Sequence, residues 1–131
     1  MAITETAEPI RIVVPGRPVP AARMTRRGKW VSRQAQRYLA YKEEVAWAAR
    51  EVIEEPLEGP VGVRIDVFIA GGKQGDADNY GKSILDSCNM IAYRDDRQVM
   101  DCRIVKHRVK RGTEQRAEIL LWPLDGRKKC S

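Results

Sequence analysis

Between Gly75 and Lys82 the chain reads Gly-Asp-Ala-Asp-Asn-Tyr-Gly-Lys, which sets two carboxylates, Asp76 and Asp78, two residues apart where a glycine-rich loop enters a helix. Asp78, Lys82 and Asp86 then follow at intervals of four, so on a helix they share one face and an ammonium stands one turn from an acid. Asp95 and Asp96 return in Arg94-Asp95-Asp96-Arg97, and a chain reversal there carries one of them toward the first pair. Three carboxylates ~5 Å apart repel by about 3 kcal/mol per pair at an effective dielectric of ~20, so a folded protein must offset them with protons or a divalent cation. A set of oxygens without paired His or Cys suits Mg2+ or Mn2+ and disfavours zinc. Held by Asp76, Asp78 and Asp96, such an ion lowers the pKa of a bound water and stabilises charge on a phosphate undergoing in-line displacement, with Lys82 adding positive charge. The same spacing also suits a plainer role, in which Asp76 and Asp78 cap the helix and Lys82 makes an i to i+4 pair.

The elements that must position these residues are legible in the pattern. Arg11 to Val14 is a short strand ending at Pro15-Gly16, and Pro18 and Pro20 keep the following segment extended. Ser32 is an N-cap for a helix to about Glu55, with Tyr38, Tyr41, Val45, Ala48 and Val52 on one face. Trp47 lies off that stripe and is expected at the edge of the core, with a subunit contact as the alternative. Val61 to Ala70 alternates apolar and other residues and reads as the clearest strand; the glycines at 71, 72 and 75 end it. The second helix starts at Asp76 and runs to about Tyr93, burying Ile84, Leu85, Cys88 and Ile91. Two strands close the chain, from about Val99 to Val109 and from Arg116 to Trp122, with Gly112 in a hairpin loop between them and an irregular, bulge-like pattern in the first. Leu120 and Trp122 fall on the face opposite Ala117, Ile119 and Leu121 and are candidates for a dimer contact or a second buried face.

Charge points to a polyanionic partner. Between Glu8 and Glu43 there are nine basic residues and no acidic one, within a chain whose net charge is +6. Arg17, Arg23, Arg26, Arg27 and Lys29 precede Trp30 in a loop that combines phosphate-reaching cations with an aromatic face, and Lys73 stands beside the acidic motif. Arg103 and Lys106 begin a second basic cluster with Arg108, Lys110 and Arg111, which suits either a DNA arm or a charged strand edge that resists aggregation. The single His107 has no paired base, so it reads as a strand surface residue or a phosphate contact, and hydrolase triads are unsupported.

With 131 residues, 43% hydrophobic and 32% charged, the chain fits one folded domain. The expected division is a flexible tail over 1–10, a domain over 11–124 and a basic tail over 125–131. Cys88, Cys102 and Cys130 are odd in number and scattered, which excludes a disulfide framework or a CxxC metal site and suits a reducing compartment. No basic leader with an apolar stretch and no run approaching ~18 apolar residues is present, so the expected location is the cytoplasm.

The joint pattern Asp76-Ala77-Asp78-Asn79, Lys82, Asp86 and Asp95-Asp96-Arg97-Gln98-Val99 resembles the RusA family of Holliday junction resolvases, and the order of elements from Ile10 to Trp122 is similar as well. The resemblance implies an α+β single domain with a mixed sheet in the order β-α-β-α-β-β. It implies a homodimeric, Mg2+-dependent, structure-selective endodeoxyribonuclease that nicks four-way DNA junctions in recombination and repair. Residue by residue, Asp76, Asp78 and Asp96 match the family's essential carboxylates, Lys82 its essential lysine, and Asp95 a further ligand. A dimer also has a physical rationale, because resolving a nearly two-fold junction needs two matched nicks. The rival reading is a non-catalytic basic module that grips DNA without cutting it.

Overall fold

The computed structural model describes residues 9–22 and 33–124. The elements run β1 (Ile10–Pro15), α1 (Arg33–Val52), β2 (Val61–Ala70), α2 (Ala77–Cys88), a 3-10 turn (Asp96–Gln98), β3 (Val99–Val109), a second 3-10 turn (Gly112–Glu114) and β4 (Arg116–Pro123). This is the expected α+β order. Ser32, Trp30, the tail over 1–8 and the tail over 125–131 lie outside the described residues. Among the described residues no helix is long and apolar enough to cross a membrane.

The strands form one sheet in the order β1-β4-β2-β3. β2 pairs parallel with β3 through the α2 crossover, while β4 runs antiparallel to both β1 and β2. The expected hairpin between β3 and β4 is therefore wrong, since β2 lies between them. The physical reason is burial: β4 has a clean apolar face in Ala117, Ile119 and Leu121, all fully buried, and takes an interior place. β3 carries Arg103, Lys106 and Arg108 and takes the edge, where cations are tolerated and discourage stray pairing. Its irregular pattern is a register shift: Val61 faces Val99 but Gly62 faces Asp101, leaving Met100 as the extra residue.

Both helices pack on the sheet face formed by Val61, Val63, Ile65, Val67 and Ile69, none more than 1% exposed. Each such side chain contributes roughly 1.5–3 kcal/mol of burial free energy. α1 presents Tyr38, Tyr41, Val45 and Ala49, so its stripe turns slightly from the expected one: Val52 is half exposed, and the helix ends there and not at Glu55. Trp47 is 65% exposed, with Arg50 near its ring, so it is not at the edge of the core. α2 ends at Cys88, five residues before the expected Tyr93, because the chain turns at Asn89 and Met90 to bury Tyr93 against the helix it has left. The Tyr93 hydroxyl donates to the Leu85 carbonyl at 2.8 Å. Gly81 lets α2 lie close on β3, since a Cβ there would run into the Ile104 side chain.

The opposite sheet face is a row of rings and ions. Phe68 stacks on His107 with centroids 4.3 Å apart, and the Arg116 guanidinium lies 3.8 Å over Phe68. His107 Nε2 meets Asp66 at 2.7 Å, and Asp66 accepts two hydrogen bonds from Arg64. His107 is thus a strand surface residue tied into this network. At one end the Trp122 indole lies on Gly62, so a Cβ on Gly62 would overlap three atoms of that indole. Gly62→Ala is expected to displace that ring and lower stability by about 1–3 kcal/mol, read as a lower urea midpoint.

Several buried acids must stay neutral. Burial, with Asp86 beside it, pushes the Tyr38 phenol up to about 12; burial alone pushes the Cys88 thiol to about 12, and burial raises Tyr41 and Tyr93 further. Because the folded chain holds these protons more tightly than the unfolded one, their contribution is complete below the ordinary thiol and phenol range of ~8.5–10 and is lost as pH climbs toward 12. The urea midpoint should accordingly fall between about pH 8 and about pH 11, with Tyr38→Phe reducing the slope.

Candidate active site

The loop from Gly71 to Gly75 leaves the C-terminal end of β2 and delivers Asp76 to the start of α2. Gly71 and Gly72 have φ of 38° and 75°, in the left-handed region that favours glycine, which lets the chain turn sharply off the sheet. Asp76 takes the N-cap position, with φ −78° and ψ 153°, but its carboxylate makes no capping hydrogen bond. Asp78 stands in the first turn and Lys82 in the second, and all three are exposed. Among the described residues Lys82 makes no ion pair with Asp78 or Asp86. Of the plainer role, Asp76 keeps the N-cap position and Asp78 the first turn, but the capping hydrogen bond and the Lys82 ion pair are not made. All three stay available to solvent, with Asp78 and Lys82 on one face of α2 and Asp76 at its head.

Beside them opens a cleft of about 630 Å³ whose lining includes Asn79, Lys82, Asp86, Lys42, Tyr38 and Leu39. Tyr38 donates to Asp86 Oδ2 at 3.2 Å, and the Lys42 ammonium lies 5.3 Å from the centre of the Tyr38 ring. The cleft thus offers two ammonium groups, with one carboxylate already occupied by a phenol. Lys42 belongs to the basic run of the sequence, but only the packing of α1 on α2 shows that it shares a wall with Lys82.

Asp95 and Asp96 sit elsewhere. Their 3-10 turn is pinned to the N-terminal end of β2 by Gln98, which donates to the carbonyls of Leu57 and Gly59 at 2.9 Å each. Asp95 caps that turn, accepting from the Arg97 backbone at 2.8 Å and from its guanidinium at 3.0 Å. The Arg97 side chain, with its backbone N–H, holds the Asp95 carboxyl below the usual range. Asp96 is exposed next to it. Since β3 is parallel to β2, the start of β3 lies at the opposite end of the sheet from the loop that carries Asp76. The 12 residues of α2, ~18 Å long, run between the two ends. The expected convergence of Asp96 on Asp76 and Asp78 does not occur within one chain, and among the described residues no three His, Cys, Asp or Glu side chains are grouped to hold a metal ion. Asp76 and Asp78 suit a hard cation by donor type, but among the described residues no third acid of the same chain is grouped with them.

The basic residues divide in the same way. Lys73 and Arg103 are exposed. Arg17 and Lys106 spend their donors on backbone carbonyls around the acidic loop, Arg17 on Ala70 and Lys73 and Lys106 on Gly75. Arg23, Arg26, Arg27 and Lys29 lie outside the described residues. A second cleft of about 530 Å³ next to the loop includes Arg17, Arg37, Lys73 and Tyr80 in its lining. Arg37 joins this wall from α1, a placement that its position in the basic run does not reveal.

A comparison with curated proteins finds no match. The family model described as endodeoxyribonuclease RusA matches residues 15–121, from the end of β1 through the acidic loop, Lys82 and Asp96 into β4. That match spans most of the chain and every element of the site, and it places the protein among nucleases that act on DNA: the chain belongs to the RusA endodeoxyribonuclease family.

Proposed function

We propose that this protein is a Mg2+-dependent homodimeric endonuclease that resolves four-way DNA junctions by paired nicks, with Asp76, Asp78 and Asp96 as ligands and Lys82 beside the scissile phosphate. The observation that carries the reading is the pair of carboxylates at the head of α2, neither spent on a cap nor paired with the lysine one turn away. On this reading, Asp96 at the far end of the sheet would reach the other two aspartates from a second copy of the chain. A two-fold axis running across the strands reverses their direction, so the Asp76–Asp78 end of one copy lies level with the Asp96 end of the other. On this reading each ion is held by Asp76 and Asp78 of one copy and Asp96 of the second, and each dimer has two sites. Asp95, already engaged by Arg97, orients the turn and contributes little to the ion.

Bound in that setting, Mg2+ or Mn2+ supplies positive charge against the phosphate and acidifies water. The chain's own part is electrostatic. Lys82 and Lys42 bring ammonium groups to one cleft, where they favour the phosphate as charge develops on it. Lys73 and Arg37 line the neighbouring cleft and hold the backbone of an arm without reading bases. Binding should fall steeply with salt, by about three to five decades between 50 and 200 mM if ~6–10 phosphates are neutralised.

The deciding experiment incubates the protein with labelled four-way junction and with linear duplex, in Mg2+ or in EDTA. Paired nicks on the junction in Mg2+ alone are expected. Binding without turnover would instead mark a non-catalytic DNA-binding module, and equal cutting of the duplex would remove the structure selectivity.

A further inference from the structure

Arg17 is among the candidate DNA contacts, yet its guanidinium, though on an exposed residue, is spent on the protein's own acceptors. It donates to the carbonyl of Ala70, the last residue of β2, at 2.8 Å, to the carbonyl of Lys73 at 3.0 Å and to Gln115 Oε1 at 2.9 Å. Gln115 Oε1 in turn accepts from the Ala70 N–H at 3.0 Å. The guanidinium lies close against the loop, since a Cβ on Gly72 would stand 3.4 Å from one of its nitrogens. At the far end of the loop Lys106 donates to the Gly75 carbonyl at 2.8 Å, and the Gly75 N–H donates to the buried Tyr80 hydroxyl at 3.1 Å. Five residues, three of them glycine, thus carry Asp76 and are fixed at one end by Arg17, just past β1, and at the other by Lys106 of β3.

Such a loop has much conformational freedom to lose, and without these contacts it would pull Asp76, at its junction with α2, through a range of positions beside Asp78. We infer that Arg17 is a positioning residue, clamped with Gln115 on the Gly71–Gly75 loop, that sets where Asp76 and Asp78 stand during cutting. This rests on the proposal that those two aspartates carry the reaction. An arginine is required because three acceptors are spanned by one rigid fork, which a lysine ammonium does not reproduce. A misplacement of ~1 Å at a reacting group costs about 100-fold in rate.

The test compares Arg17→Ala, Arg17→Lys and Gln115→Ala with wild type in single-turnover nicking of a labelled junction at saturating protein in Mg2+, with junction affinity at several salt concentrations. All three should cut slower, Arg17→Ala by about 100-fold. Arg17→Lys, which keeps the charge, and Gln115→Ala, which never had one, should bind the junction as wild type does. A wild-type rate in Arg17→Lys or in Gln115→Ala would overturn the clamp. So would a normal saturated rate in Arg17→Ala accompanied by a salt slope lower by about 0.9, the mark of one lost phosphate contact. Amide hydrogen exchange tests the clamp independently of which residues cut: Arg17→Ala should speed exchange at 71–76 and leave β2 protected. Unchanged exchange there overturns the inference, while wild-type nicking by Asp78→Asn alongside faster exchange would overturn the assignment of the aspartates and leave the clamp standing.

Discussion

Asp78→Asn is expected to abolish junction nicking, by 1,000-fold or more, while junction affinity stays the same or rises. On the proposed reading the amide keeps the shape of the side chain but removes a ligand charge, and several kcal/mol of transition-state stabilisation go with it, at about 1.4 kcal/mol per decade of rate. Affinity moves the other way because the DNA-facing end of α2 loses a negative charge that repels phosphate. Asp78 is exposed and makes no capping contact, so the fold should not suffer, and an unchanged thermal midpoint is part of the expected result. The measurement is single-turnover cleavage in Mg2+ beside a gel-shift titration in EDTA. Wild-type nicking by Asp78→Asn would refute the assignment.

The second large effect comes from mixing. Asp78→Asn and Asp96→Asn should each be inactive alone, yet co-refolded chains should recover nicking. If Asp76 and Asp78 of one copy work with Asp96 of the other, a heterodimer of the two variants contains one intact site and one doubly disabled site. With free exchange half of all dimers are mixed and each has one of its two sites, so about a quarter of the wild-type sites return. The products should be single nicks in place of paired ones, which a junction with labelled opposing strands distinguishes. If all the ligands came from one chain, mixed dimers would contain no intact site and activity would stay at the level of the separate variants. The contrast is therefore between inactivity and a substantial fraction of wild-type sites. It follows from the parallel β2-β3 pairing, which holds Asp96 at the far end of the sheet from Asp76.

How far the sequence reaches is clearest in the strands. The alternation in Val61 to Ala70 identifies β2 and its buried face directly, because a period of two has one structural meaning when one side is uniformly apolar. The same alternation in Ala117, Ile119 and Leu121 identifies β4 but not its neighbours. A strand buried on one face pairs equally well with a sequential partner or a distant one, and a short loop at Gly112 invited the hairpin reading. The insertion of β4 between β1 and β2 depends on which sheet order buries the most apolar surface and leaves the charges of β3 at an edge, a property of all four strands together.

The site divides along the same line. Composition and spacing were enough to single out Asp76, Asp78 and Lys82, since two acids at a loop-helix junction with a lysine one turn on keep their relation wherever the helix is placed. The preference for a polyanionic partner was likewise readable, because net charge and its clustering do not depend on the fold. Only the tertiary structure decided where each distant side chain goes. It sent the Arg17 fork into the acidic loop, brought Lys42 to the wall shared with Lys82, and fixed Asp96 at the opposite end of the sheet. Those outcomes depend on strand direction and helix packing, which are set by burial over the whole domain, and local spacing contains no record of them.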